Sequence, residues 1–143
     1  MTAGFKVSVA DWHTDTEQLR AIREAVFISE QHVPKSLEWD ASDPECTHVI
    51  AIDDDGVSIA TGRLVPDGSI GRMAVLKAWR GRGVGNAIME KLVDEARRNG
   101  FRSLKLSSQE HAVGFYQRHG FVAQGAPYME AGIRHITMIR DEL

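Results

Sequence analysis

Arg80-Gly81-Arg82-Gly83-Val84-Gly85 stands between an apolar, strand-like run, Ile70–Leu76, and a long amphipathic stretch, Asn86–Asn99. Glycines at 81, 83 and 85 let the backbone turn tightly and bring its N–H groups close to a ligand. A helix that begins there directs its unbonded N–H groups and the positive end of its dipole at the same spot, an arrangement that binds phosphate. Lys77, Arg80 and Arg82 add positive charge. Two better-known phosphate loops are excluded. A Walker A loop ends in Gly-Lys-Ser/Thr, whereas Gly85 is followed by Asn86. A dinucleotide fingerprint needs a glycine three residues after its second, and the spacing here is Gly81, Gly83, Gly85. The plainer reading is a glycine-capped surface turn with Arg80 and Arg82 as solvated charges.

Outward from this loop the hydrophobic period changes. Val84, Ile88, Leu92 and Ala96 recur every fourth residue with Met89 and Val93 beside them, the stripe of a core-facing helix. Arg97 and Arg98 suit its end and Gly100 the position after it. Upstream, His48–Ile52, Val57–Leu64 and Ile70–Leu76 read as strands. The turn signals Asp53-Asp54-Asp55-Gly56 and Pro66-Asp67-Gly68 join them into an antiparallel meander. Phe5–Val9 alternates as a short strand. Thr14-Asp15-Thr16-Glu17 resembles a capping box opening a helix that carries Leu19, Ile22, Val26 and Phe27 and fades near Gln31. Pro34 breaks the chain's regular pattern there, and the polar stretch to Cys46 reads as a loop or short helix. Downstream, Ser103–Ser107 is a strand, Gln109–His119 a helix ending at Gly120, and Phe121–Ala123 and Ile133–Arg140 the last strands. The expected fold is a single α/β (α+β) domain over residues 1–143, with a mixed, mostly antiparallel sheet flanked by helices.

Composition narrows the class. The 143 residues are 43% hydrophobic and 26% charged, with a net charge of −3, the mixture of a globular domain rather than of a nucleic-acid or membrane-surface protein. No apolar run reaches bilayer-spanning length, and residues 1–9 lack a signal-peptide core. The single Cys46 reads as a small hydrophobe and fits a reducing cytoplasm. The six histidines form no ligand-spaced cluster with it, so no metal is expected.

Two motifs stand in order: Val75-x-x-x-x-Arg80-x-x-Gly83-x-Gly85, then Ala112-x-x-Phe115-Tyr116-x-x-x-Gly120-Phe121. Together they resemble the GNAT superfamily of acyl-CoA-dependent N-acetyltransferases, over nearly the whole chain. Arg23-Glu24-Ala25-Val26-Phe27, Glu30-Gln31-x-Val33-Pro34, Glu38-x-Asp40 and Ala131-Gly132-Ile133-x-His135 further resemble a bacterial subfamily whose members mostly lack an assigned substrate.

The resemblance implies acetyl-CoA as cosubstrate, held between splayed strands near Val75 and Ser103–Ser107. The pantetheine arm would meet the backbone from Met73 through Ala74 to Val75, and the Val75 N–H is a plausible oxyanion donor. The diphosphate would sit on the N–H groups of Arg82, Gly83, Val84, Gly85 and Asn86, with Arg80 steadying the loop or the phosphates. Tyr116 is the expected general acid for the leaving thiolate, the plainer alternative being a packing residue like Phe115. Gln109 stands where the family often has an Asn that contacts the cofactor. For the base, Glu30 comes first, before Glu38, Asp40, Glu130, His48 and His135. Arg23 reads either as a contact to an anionic group of the acceptor or as a helix-surface partner of Glu30 or Glu24. Phe27, Trp39 and Tyr128 are expected acceptor-pocket walls, and Glu38, Asp40 and His135 acceptor contacts. The acceptor itself is a primary amine of a small molecule or peptide, attacked in a ternary complex. The resemblance also admits a homodimer through the last strands. A non-catalytic acyl-CoA sensor and an acyl-homoserine-lactone synthase are the competing readings.

Overall fold

A computed structural model describes residues 4–26 and 43–143. Among these, seven strands form one sheet in the order β1-β2-β3-β4-β5-β7-β6. The strands are β1 (Phe5–Ala10), β2 (Thr47–Asp53), β3 (Ser58–Leu64), β4 (Ser69–Val75), β5 (Leu104–Gln109), β6 (Val122–Glu130) and β7 (Ile133–Arg140). Every neighbouring pair is antiparallel except β4 and β5, so the expected meander and mixed sheet are both present.

Helix α1 (Trp12–Arg23) packs on β3 and β4, and helix α2 (Val84–Arg98) on β1 to β4. The α2 stripe is buried as its period requires: Val84, Ile88, Met89, Leu92, Val93 and Ala96 join β-strand residues such as Val49, Leu64 and Leu104 in the main core. Gly62 on β3 makes this approach possible, since a Cβ there would lie 2.9 Å from both Ile88 and Leu92 side-chain atoms. Leu19, Ile22 and Val26 form a second apolar cluster with Ile50 and Ala74. Helix α2 stops at Arg98 with Asn99 as its cap, and Gly100 follows with a φ of +80° that suits glycine.

Three local expectations shift. Helix α1 starts before Thr14. Asp11 is its cap, accepting from the His13 N–H at 2.8 Å, while its own N–H donates to Asp15 at 2.9 Å. The stacking of Trp12 on His48, with centroids 4.7 Å apart, anchors this earlier start. Gln109 is not helical but ends β5, because it pairs with His135 on β7. A 3-10 turn (Glu110–Ala112) comes next, then the short helix α3 (Val113–Arg118). The strand expected to stop at Ala123 runs on to Glu130. Gly125 and Pro127 fall at a register shift between Gln124 and Tyr128, which an edge strand tolerates. Along β6 Val122 and Met129 are exposed. Among the described residues no helix is long and apolar enough to cross a membrane.

Candidate functional site

β4 and β5 pair at only Ser69↔Lys105 and Ile70↔Leu106. Beyond that point β4 stays with β3 while β5 runs alongside β7 to Gln109, so the sheet opens between two strands that began side by side. A cleft of about 1310 Å³ occupies the opening, lined by Met73, Ala74 and Val75 on one side and Leu106, Ser107 and Gln109 on the other.

The main chain along β4 is presented to this cleft by strand alternation. The Leu76 N–H donates to the Ile59 carbonyl on β3 at 2.9 Å. The amide of Val75, one residue earlier, therefore faces away from β3. Its carbonyl accepts from Arg80 Nε at 3.0 Å. A bulge lies just upstream, where the β3–β4 register shifts and Arg72 adopts φ +51°, a conformation uncommon for a residue with a Cβ. No local pattern in the sequence marks that bulge.

At one mouth of the cleft stands the glycine loop. Gly83 caps α2 with φ +81° and, being glycine, brings no side chain to cap the helix. The first i to i−4 bond is Ala87 N–H to the Gly83 carbonyl at 3.1 Å, so the amides of residues 84–86 lack an intrahelical acceptor. Gly83, Gly85 and Asn86 line the cleft. Arg80 is tied to the end of β4, and the Arg82 guanidinium lies over Trp79, 5.1 Å from the ring centroid. Asn86 Oδ1 accepts from His119 Nε2 at 2.9 Å.

Tyr116 lines the same cleft from α3, half-buried, edge-on to Phe115 and Phe121 with centroids 5.1 and 6.2 Å away. Its hydroxyl reaches Met73 Sδ at 3.8 Å. Burial pushes its pKa up to about 12, so the phenol keeps its proton across neutral and moderately alkaline pH.

The other end of the cleft carries Ser107, Glu130 and His135. Ser107 Oγ is hydrogen-bonded to the Tyr128 hydroxyl and donates to Glu130 at 3.3 Å. His135 Nδ1 donates to the Ile133 carbonyl at 2.7 Å, and its ring stacks on Tyr128. Glu130 and Ile133 close the β6–β7 hairpin through Ala131 and Gly132, both at positive φ. Glu30, Phe27, Glu38, Trp39 and Asp40 lie outside the described residues.

Three expectations are corrected. Arg23 does not stand on the helix surface: it is 1% exposed and meets Asp43 at 3.1 Å. Arg63 meets the same carboxylate at 2.7 Å. Burial alone would raise the Asp43 pKa, but the hydrogen bonds and charge of Arg23 and Arg63 outweigh it and hold the group below the usual carboxylate range. His48, a candidate base, does not stand on the strand surface either. It is buried, its Nε2 donates to the Asp43 carbonyl at 2.7 Å, and burial lowers its pKa. The absence of a ligand-spaced cluster also needs amending, because Asp43, Cys46 and His48 bring ligand atoms within 4.8 Å of one another. Two guanidiniums already hold that carboxylate, and a cation would add to their charge.

A family model for the acetyltransferase (GNAT) domain matches residues 11–141. The chain belongs to the GNAT acetyltransferase family. The uncharacterized N-acetyltransferase YjcF of Bacillus subtilis strain 168 is 36% identical over 124 residues, covering 84% of this chain and 88% of YjcF. An acyl-CoA N-acyltransferase from Pseudomonas aeruginosa is 30% identical in a superposition with TM-score 0.82, covering 96% of this chain and 99% of that one. A GNAT acetyltransferase from Elizabethkingia anophelis with acetyl-CoA bound shares the fold at 18% identity and TM-score 0.72, covering 97% and 98% of the two chains. This GNAT protein is accordingly an acyltransferase, of the class that uses acyl-CoA to acylate nitrogen.

Proposed function

We propose that the protein transfers an acetyl group from acetyl-CoA to a primary amine of a small molecule or peptide, by direct attack in a ternary complex. The observation that carries this reading is the opening of β4 from β5 beside an uncapped helix start. An acyl-CoA needs both features: amide partners for its pantetheine arm and donors for its diphosphate. The free edge of β4 at Met73 to Val75 supplies the first. The amides of residues 82–86 and the dipole of α2 supply the second. The structure with bound acetyl-CoA in a GNAT relative supports acetyl as the acyl group.

In this reading the amine nitrogen attacks the thioester carbonyl carbon, and its carbonyl oxygen takes up negative charge beside the Val75 N–H. Collapse breaks the C–S bond. Tyr116, still protonated because of its raised pKa, hydrogen-bonds the departing sulfur and supplies its proton. The proton lost by the amine passes to a base. Glu30 keeps first place for that role, and Glu130 and His135, both on the cleft wall, are the described alternatives.

The test is an acceptor screen that monitors thiol release from acetyl-CoA across polyamines, amino sugars, amino acids and peptides. Amine-dependent thiol release with one N-acetyl product per thiol is the expected result. If acetyl-CoA binds tightly while no amine in a broad panel releases thiol, the acyl-CoA sensor takes its place.

A further inference from the structure

The two sequence motifs of the cofactor side are far apart in the chain, yet they are joined through His119, an open position of the second motif, and Asn86, the residue after the first. His119 is half-buried at the end of α3 and does not line the cleft. Its Nε2 is 2.9 Å from Asn86 Oδ1, in the first turn of α2. An amide oxygen only accepts, so the imidazole donates. The ring lies against Phe115, with centroids 5.0 Å apart. The backbone is fixed as well, since the His119 carbonyl accepts from Arg140 Nη1 at 3.0 Å. Burial holds the His119 pKa below its ordinary value, so the neutral ring is the form present at pH 7.

The imidazole limits what Asn86 can offer. With Oδ1 occupied by His119, the part of the side chain left for other partners is its NH2 group, which carries two donors. Asn86 lines the cleft beside Gly83 and Gly85, where the proposed acyl-CoA reading puts the diphosphate. A freely rotating amide would present oxygen or nitrogen to an anion with little preference, and the oxygen would repel it. A bond to the oxygen removes that ambiguity.

We propose that His119 is a positioning residue for cofactor binding, which holds the Asn86 amide with its NH2 toward the diphosphate of acyl-CoA. The inference rests on the functional reading above and goes beyond it, since that reading assigns Asn86 only its backbone N–H. The same contact also ties the start of α2 to α3, the helix that carries Tyr116. The diphosphate grip and the proposed proton donor thereby share one support.

The experiment is a double-mutant cycle read by calorimetric titration with CoA. His119→Ala and Asn86→Ala are each expected to weaken CoA binding about three- to tenfold, an effect of the size of one polar contact to a charged group. The double variant is expected to lose no more than the weaker-binding single variant, because both changes remove one device. His119→Gln keeps a side-chain donor and is expected to recover most of the affinity. Thermal unfolding of each variant separates this from general damage, and His119→Phe, which fills the space without a donor and is expected to show the same loss, serves if His119→Ala does not fold. CoA affinity unchanged in His119→Ala, or losses that multiply in the double variant, would overturn the proposal. A wild-type protein that binds no CoA would overturn the site reading itself.

Discussion

Arginines surround the central strands in two places, and their circumstances are opposite. Arg80 and Arg82 stand on the exposed glycine loop, one bound to a strand-end carbonyl and the other resting on Trp79. Arg23 and Arg63 are buried around Asp43, where α1, β3 and the turn before β2 converge. The loop site is built from main chain, with side-chain charge as an accessory. The buried site is built from side-chain charge, with each member needed to offset the desolvation of the others. Removing one member should therefore be cheap in the first region and costly in the second.

The largest expected effect breaks the buried group. Asp43→Asn leaves two guanidiniums without the carboxylate between them, and breaking a buried pair in this way costs about 3–5 kcal/mol. Denaturant unfolding at neutral pH measures it directly. The sign with pH comes from the depressed pKa of Asp43. Its contribution is fully present above the unfolded carboxylate pKa, near ~3.9, and is lost as pH falls through the lower folded value. The substituted protein should lack that part of the acid dependence. An Asp43→Asn protein as stable as the parent would mean that the two regions do not differ as argued.

Next comes Tyr116→Phe, which removes a hydroxyl and leaves the packing against Phe115 and Phe121. If Tyr116 protonates the leaving sulfur, kcat should fall about 100-fold, the lower end of what acid catalysis supplies, with the KM for acetyl-CoA little changed. The pKa of about 12 adds a second readout: no loss of rate from phenol ionisation is expected between pH 7 and roughly 10. A residual rate equal to the parent's would return Tyr116 to a packing role.

Legibility in the sequence divides along the same line. The glycine loop, the α2 stripe and the meander each announce themselves within a few neighbouring residues, because turn chemistry and helical period are local. The Arg23–Asp43–Arg63 group joins residues separated by 20 positions on either side, and nothing near Arg23 distinguishes it from a surface arginine. The Asn86–His119 bond spans 33 positions and leaves no spacing signal. The Arg72 bulge is a property of how β4 registers against β3, which a single strand does not encode. His48 reads as a candidate base because nothing adjacent to it in the chain signals burial. That burial depends on Trp12 and the Asp43 turn, which the fold brings to it.

The smallest effects come from the two glycines that flank Val84, and they test whether the loop works by backbone conformation or by space. A Cβ at Gly83 would meet nothing within 4 Å, yet φ there is +81°. An L-residue in that conformation costs about 1–2 kcal/mol. Gly83→Ala should therefore weaken CoA binding about five- to thirtyfold, or lower the melting temperature if the strained turn is kept. Gly85 lies outside the left-handed region, and its Cβ would sit 3.5 Å from Phe115, an ordinary contact. Gly85→Ala should leave both affinity and stability close to the parent's. Calorimetric titration of CoA against both variants reads the difference. Equal losses at the two positions would mean that crowding, rather than the turn of the chain, governs this mouth of the cleft.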